Sequence, residues 1–265
     1  MKNKICIIGA GNLGLSLAKG LVDSGNYQAQ DLYLTRRSVN KLDALKSEGY
    51  NVSSNNIESL KQAEIIIIAV LPQKINSVLN EIKNDINVKQ LVISLASGVT
   101  TENIIKIIGS NIPVIRAMPN TAISIRQSMT CITTIPKWKD KLPEVRSIFN
   151  LVGQTEVIPE EKMTSATALC ACGLAFFLRA IRAASQGGNE IDFHASESLR
   201  MAAQTALGAA GLLLTNNSHP EDEIDKVTSP KGCTIAGLNE MEHNGFSSAF
   251  IKGITVSAEK AKDLY

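Results

Sequence analysis

Residues Gly9-Ala10-Gly11-Asn12-Leu13-Gly14 follow directly on a short apolar run, Ile5-Cys6-Ile7-Ile8, and open a stretch in which Leu13, Leu17 and Leu21 recur every four residues. An apolar run, a glycine turn and then helical spacing read as strand, turn and helix. In that setting each glycine of G-x-G-x-x-G serves a separate purpose. Gly9 permits the tight turn, Gly11 lets the backbone approach a diphosphate, and Gly14 lets the helix pack against the strand. The free N–H groups at the helix start then bind the anion. The chain is thereby constrained to a nucleotide-binding α/β fold.

The alternation continues. Asp31 to Thr35 reads as a strand, Lys41 to Glu48 as a helix ended by Gly49, and Ile65 to Val70 as a strand buried on both faces. A helix over Ile75 to Ile86, a strand over Leu91 to Leu95, a helix over Glu102 to Ile108, and strands near Val114 to Arg116 and Met129 to Ile135 complete the pattern. Strands and helices alternating at this spacing predict a doubly wound, mostly parallel sheet of the Rossmann type. From about Pro159 onward the composition changes to Ala/Leu-rich stretches such as Leu199 to Leu214, which predicts an all-helical region. The expected organisation is a dinucleotide-binding domain over 1–158 and a helical substrate-binding and dimerisation domain over 159–265. Leu199 to Leu214 is too rich in Leu, Ala and Gly for a solvated helix, so it should be buried in its own domain or against a second copy.

An NAD-specific site carries an acidic residue about 20 positions after the glycine turn, where it holds the ribose hydroxyls. This chain has Thr35 there, followed by Arg36, Arg37 and Ser38. Two guanidiniums and no acid suit a 2′-phosphate, so the expected cofactor is NADP, with NADPH preferred over NADH.

Composition excludes several classes. The 265 residues are 44% hydrophobic, with 27 basic and 25 acidic residues intermixed, so neither a nucleic-acid arm nor a polybasic membrane anchor is expected. Glycines interrupt the first apolar run after four residues, which fits neither a signal peptide nor a membrane-spanning helix, and a cytoplasmic protein is expected. The five cysteines are scattered without metal-site spacing, and reduced thiols are the expectation, with Cys170 and Cys172 too close for an unstrained disulfide.

Five segments together resemble the pyrroline-5-carboxylate reductase family: GAGNLG (Gly9 to Gly14), AVLPQ (Ala69 to Gln73), SLASGVT (Ser94 to Thr100), VIRAMPNTA (Val114 to Ala122) and TSPKGCT (Thr228 to Thr234). Their order and spacing match over nearly the whole chain. The resemblance implies hydride transfer from NAD(P)H to the imine carbon of 1-pyrroline-5-carboxylate, giving L-proline, in a homodimer or a larger assembly built from dimers. It also implies residue roles. Asn12 and Leu13 would meet the pyrophosphate and Asn56 the adenine-side ribose. Ala69, Pro72 and Ala96 would lie along the nicotinamide end, and Met118, Pro119, Asn120 and Thr121 at the junction with a small cyclic imine substrate. Ser229, Gly232, Cys233 and Thr234 would receive the substrate carboxylate, with Ser229 and Thr234 as the catalytic hydroxyls and Thr234 reaching the ring nitrogen. Ser229 could equally cap the helix that follows.

An imine carbon accepts hydride readily when its nitrogen is protonated, so orientation and a polar group at nitrogen matter more than a strong base. His194, His219 and His243 stand outside the matched segments, and a histidine base is not expected. The chain departs from the family at Leu71, where Lys is usual, at Ala122 and Leu174, where Pro is usual, and at Lys231, where Gly is usual. Those changes leave open a related NADP-dependent imine or β-hydroxyacid-type reductase, or a non-catalytic nucleotide-binding paralogue.

Overall fold

A computed structural model describes residues 3–262. They form two compact units, residues 3–171 with 257–262, and Cys172–Val256.

The first unit is built on one eight-stranded sheet. Its strands are β1 (Ile5–Ile8), β2 (Leu32–Thr35), β3 (Asn51–Ser53), β4 (Ile65–Ile68), β5 (Leu91–Ser94), β6 (Val114–Met118), β7 (Ser128–Thr133) and β8 (Gly153–Val157), in the order β3-β2-β1-β4-β5-β6-β7-β8. All neighbours run parallel except β6 and β7, which pair antiparallel. Helices α1 (Asn12–Asp23), α2 (Asp43–Ser47), α3 (Asn56–Leu60), α4 (Pro72–Ile82), α5 (Thr101–Ile108) and α6 (Leu142–Phe149) cover it. The strands of the sheet centre are apolar throughout because helices bury both faces. Ile5, Ile7, Ile65 and Ile67 join one core with Leu17, Leu21 and Phe149, while Cys6, Ile8, Ile66 and Ile68 join another with Ile75, Leu79 and Ile104. The alternation is the strand period of two.

Several expectations are refined. The helix predicted over Lys41 to Glu48 is a 3₁₀ turn, Val39–Leu42, followed by the short α2, and Gly49 does end it at φ +92°. The helix predicted over Ile75 to Ile86 starts earlier, at Pro72, whose fixed φ suits a first helical turn. β3, α3, α6 and β8 add elements that the apolar pattern did not mark.

Beyond β8 the chain is helical: α7 (Met163–Ala166), α8 (Gly173–Glu190), α9 (Ala195–Asn216), α10 (Pro220–Lys226), α11 (Cys233–His243) and α12 (Phe246–Ala261). A π-helical segment, Thr167–Cys172, joins α7 to α8. Leu174 therefore stands inside a continuous helical run, not at the helix start that the resemblance implies. In the second unit α8 and α9 pack side by side, pinned where the Ser198 hydroxyl donates to the Ser185 carbonyl at 2.5 Å. Phe176, Phe177 and Phe246 surround Phe250 with ring centroids 5.3 to 6.2 Å away. The burial expected for Leu199 to Leu214 is not met inside this unit: Leu207 is 65% exposed and Leu214 83%. An apolar groove of about 590 Å³ runs between α8 and α9. Glu160–Glu190 is long and apolar enough to cross a membrane by length and composition, a test that core helices also pass.

Candidate active site

The glycine turn has the conformation its sequence requires. Gly9 has φ +94°, and a Cβ there would stand 2.7 Å from the Ala69 carbonyl oxygen; a Cβ on Gly14 would stand 2.7 Å from the Gly9 oxygen. Around Gly11 the space is open. Both Gly9 and Ala10 donate backbone N–H groups to the Thr35 oxygen, at 3.1 and 2.8 Å, so the turn is tied to the end of β2. Gly11 is the N-cap of α1 and offers no side-chain acceptor. The N–H groups of Asn12, Leu13 and Gly14 thus lack intrahelical acceptors and suit an anion.

That turn borders a cleft of about 430 Å³ lined by Gly9, Gly11, Thr35, Arg36, Arg37, Asn56 and Ala69. Seven predicted residues are thereby brought together. Thr35 is buried, and its hydroxyl donates to Asn56 Oδ1 at 2.6 Å. Asn56 Nδ2 donates to Glu81 Oε1 at 3.0 Å. One Arg36 Nη donates to the Ala10 oxygen at 3.3 Å, which lays the guanidinium against the glycine turn, while Arg37 is exposed. Lys74 and Glu81 of α4 also line the cleft and were not anticipated. Their signal is a second helical stripe: Lys74, Ser77, Val78 and Glu81 at i, i+3, i+4 and i+7, beside the buried stripe of Ile75, Leu79 and Ile82.

The remaining predicted cofactor residues lie on neighbouring strand ends and do not line this cleft. Pro72 is the first residue of α4, after Leu71, which is 71% exposed and reaches the cleft. Ala96 is buried past the end of β5, and its N–H donates to Ser94 Oγ at 3.3 Å. Met118 ends β6 and receives the Ser97 hydroxyl at 3.6 Å on its sulfur. Asn120 caps the following 3₁₀ turn: its Oδ1 accepts from the Ala122 N–H at 3.1 Å and its Nδ2 donates to the Cys170 carbonyl at 3.0 Å. Proline at 122 would lack that N–H, so the departure at Ala122 adds a bond.

The TSPKGCT segment belongs to the second unit. Ser229 is exposed and accepts the Gly232 N–H on its backbone oxygen at 2.9 Å, without a side-chain cap. Gly232 is the N-cap of α11, so Cys233 and Thr234 sit in its first turn with uncapped N–H groups. Lys231 has φ +60°, a left-handed conformation costly for a residue with a Cβ. The histidines have structural employment. His194 and His219 cap α9 and α10 in capping boxes, and His243 lies in the last turn of α11. Among the described residues no group of three or more His, Cys, Asp or Glu could hold a metal ion.

Residues 4–98 match the family described as NADP oxidoreductase coenzyme F420-dependent, and residues 160–264 match pyrroline-5-carboxylate reductase dimerisation. Pyrroline-5-carboxylate reductase 2 of Dictyostelium discoideum is 47% identical over 97% of this chain and 91% of its own length. The chain belongs to the pyrroline-5-carboxylate reductase family. Pyrroline-5-carboxylate reductase 1 of the same organism is 50% identical over 99% of this chain, which spans 50% of that relative's length. A solved pyrroline carboxylate reductase from Plasmodium falciparum with NADP bound superposes with a TM-score of 0.90, at 26% identity, over 99% of this chain and 98% of the other. Membership of the pyrroline-5-carboxylate reductase family accounts for a glycine-turn sheet and a helical dimerisation region in one chain.

Proposed function

We propose that this chain reduces 1-pyrroline-5-carboxylate to L-proline with NADPH. The observation that carries the reading is the near full-length match to a pyrroline-5-carboxylate reductase, 47% identical over 97% of the chain. The residues fit the cofactor: the glycine cradle leaves room for a diphosphate that a Cβ would fill, and the α1 amides are free to bind it. When bound, NADPH supplies the hydride for the imine carbon.

The chain's own residues supply recognition and orientation. Arg36 and Arg37, with no acid at Thr35, favour a 2′-phosphate and therefore NADPH over NADH. The first-turn amides of Cys233 and Thr234, with the Ser229 hydroxyl, receive the substrate carboxylate. The Thr234 hydroxyl donates to the ring nitrogen once the nitrogen's electron pair is available. Asn120, with both ends of its amide engaged, positions the loop at the junction in place of touching substrate directly.

Exposed apolar residues on α8 and α9 support a homodimer through residues 160–264, and that role employs the apolar surface of Glu160–Glu190 without a membrane. The change in composition near Pro159 supports a boundary there between cofactor domain and helical domain, and five free thiols support a cytoplasmic setting.

Thr234→Ala tests the substrate assignment. Turnover should fall by about tenfold or more, the scale of one lost polar contact to a developing charge, while NADPH affinity stays unchanged. Unaltered turnover would remove Thr234 from the mechanism.

A further inference from the structure

Two of the free thiols meet, and neither has a part in the proposed reaction. Cys131 is buried on β7, opposite Met118 of β6 in the sheet register. Cys170 lies in the π-helical segment Thr167–Cys172 and packs into the small apolar cluster of Met118, Cys131, Met163 and Ala166. The Cys131 thiol donates to the Cys170 sulfur. That bond lowers the Cys170 thiol to about 7 and raises the Cys131 thiol, which burial raises further. One sulfur is therefore a nucleophile near neutral pH, while its neighbour holds its proton until the second step, which is the arrangement of an attacking and a resolving cysteine.

We propose that Cys131 and Cys170 form a reversible dithiol–disulfide site, oxidised by hydrogen peroxide, whose closure lowers turnover by displacing the acceptor of Asn120. The Cys170 thiolate attacks one peroxide oxygen; the S–O bond forms, the O–O bond breaks, and the leaving hydroxide takes a proton to become water. The Cys131 sulfur, losing its proton, then attacks the sulfenic sulfur; the S–S bond forms, the S–O bond breaks, and a second water leaves. The two thiols give up two electrons, and the peroxide is reduced to two waters. A small dithiol reverses the change.

The link to the site is the 3.0 Å bond from Asn120 Nδ2 to the Cys170 carbonyl. β7 is held on both edges, by β6 and β8, so Cys170 is the partner that moves. A π-helical turn accommodates such a shift by tightening to α geometry. Asn120 then loses its acceptor, and with it the bond that orients the Thr121–Ile125 turn.

The turnover half of this inference rests on the proposed reductase activity; the disulfide half does not. The test treats the whole protein with hydrogen peroxide, maps unreduced peptides by mass spectrometry, and follows NADPH turnover and exchange of the Ala122 amide before and after dithiothreitol. The expected result is a cross-linked Cys131–Cys170 peptide, faster Ala122 exchange, and turnover reduced by about tenfold and restored by the dithiol, the scale of a small misplacement. Cys131→Ala and the partly exposed Cys170→Ser should each keep the reduced protein's turnover and lose the reversible response. No cross-link, or a cross-link to Cys172, overturns the site; a Cys131–Cys170 cross-link with unchanged turnover and Ala122 exchange overturns the coupling. If the reduced protein has no turnover, the reductase reading fails, and the cross-link and Ala122 exchange still decide the site.

Discussion

Thr35 Oγ1 donates to Asn56 Oδ1 at 2.6 Å across the mouth of the cofactor cleft. Because Asn56 Nδ2 is engaged by Glu81 at 3.0 Å, the amide can take only one orientation, with its oxygen toward Thr35. The hydroxyl oxygen of Thr35 keeps its lone pairs for a ribose donor. Asn56→Ala removes the middle of this relay and should weaken NADPH binding by roughly tenfold, the worth of one or two partly buried hydrogen bonds. Glu81→Gln retains an acceptor for Asn56 and should change affinity much less. Calorimetric titration of NADPH into the variants checks the order.

Cofactor choice rests on charge at the end of β2. Replacing Arg36 and Arg37 together by Ala should lower kcat/KM for NADPH by about ten- to hundredfold, as expected for lost charge-assisted bonds, and leave the NADH value nearly unchanged. Steady-state kinetics with both cofactors reads the result, and equal losses would mean that the arginines serve the shared part of the cofactor.

Alkaline pH should destabilise the first unit. Burial pushes the Cys6 thiol up to about 12, and burial, with Glu48 and Asp23 nearby, pushes the Tyr50 hydroxyl up to about 12. Each folded value lies above its unfolded one. The neutral form's contribution is therefore complete below the unfolded pKa and is lost as pH rises toward 12. Stability should fall from about pH 9 upward, at no more than about 1.4 kcal/mol per pH unit for each group. Urea midpoints between about pH 8 and 10.5, a window that spans the unfolded values, test this. Cys6→Ala should flatten the slope while lowering stability overall.

Arg116 and Glu160 form the one ion pair among the described residues with a buried guanidinium: Nη1 to Oε1 is 2.9 Å, with the side chains 5% and 26% exposed. The same carboxylate oxygen accepts the Thr101 N–H at 2.6 Å at the start of α5. Glu160→Ala leaves both donors unpaired and should cost about 2–3 kcal/mol, less than for a fully buried pair because water reaches Glu160. Glu160→Gln, which keeps an acceptor, should cost less by urea denaturation.

Which parts were legible in the sequence follows from how local their causes are. β1, β4 and β5 announce themselves because parallel strands covered on both faces must be apolar throughout, whereas Asn51-Val52-Ser53 is a short, half-buried edge strand and Gly153 to Val157 is mostly polar, so neither carries a hydrophobic period. The antiparallel turn between β6 and β7 depends on the Asn120 cap and Arg126 in a left-handed conformation, which no periodicity records. In the site, the glycine turn and Thr35-Arg36-Arg37 are contiguous and could be read directly. Glu81 reaches Asn56 only through the packing of α4 beside α3. The meeting of Cys131 with Cys170 is a product of topology, and sequence proximity pointed instead to Cys170 and Cys172.

The decisive experiment mixes the purified protein with 1-pyrroline-5-carboxylate and follows oxidation of NADPH, with NADH in parallel and L-proline assayed as product. Rapid NADPH oxidation, slower NADH oxidation, and one L-proline formed per cofactor consumed are the expected results. NADPH binding without any L-proline would contradict the reductase reading and turn attention to Leu71, Leu174 and Lys231 as marks of another substrate.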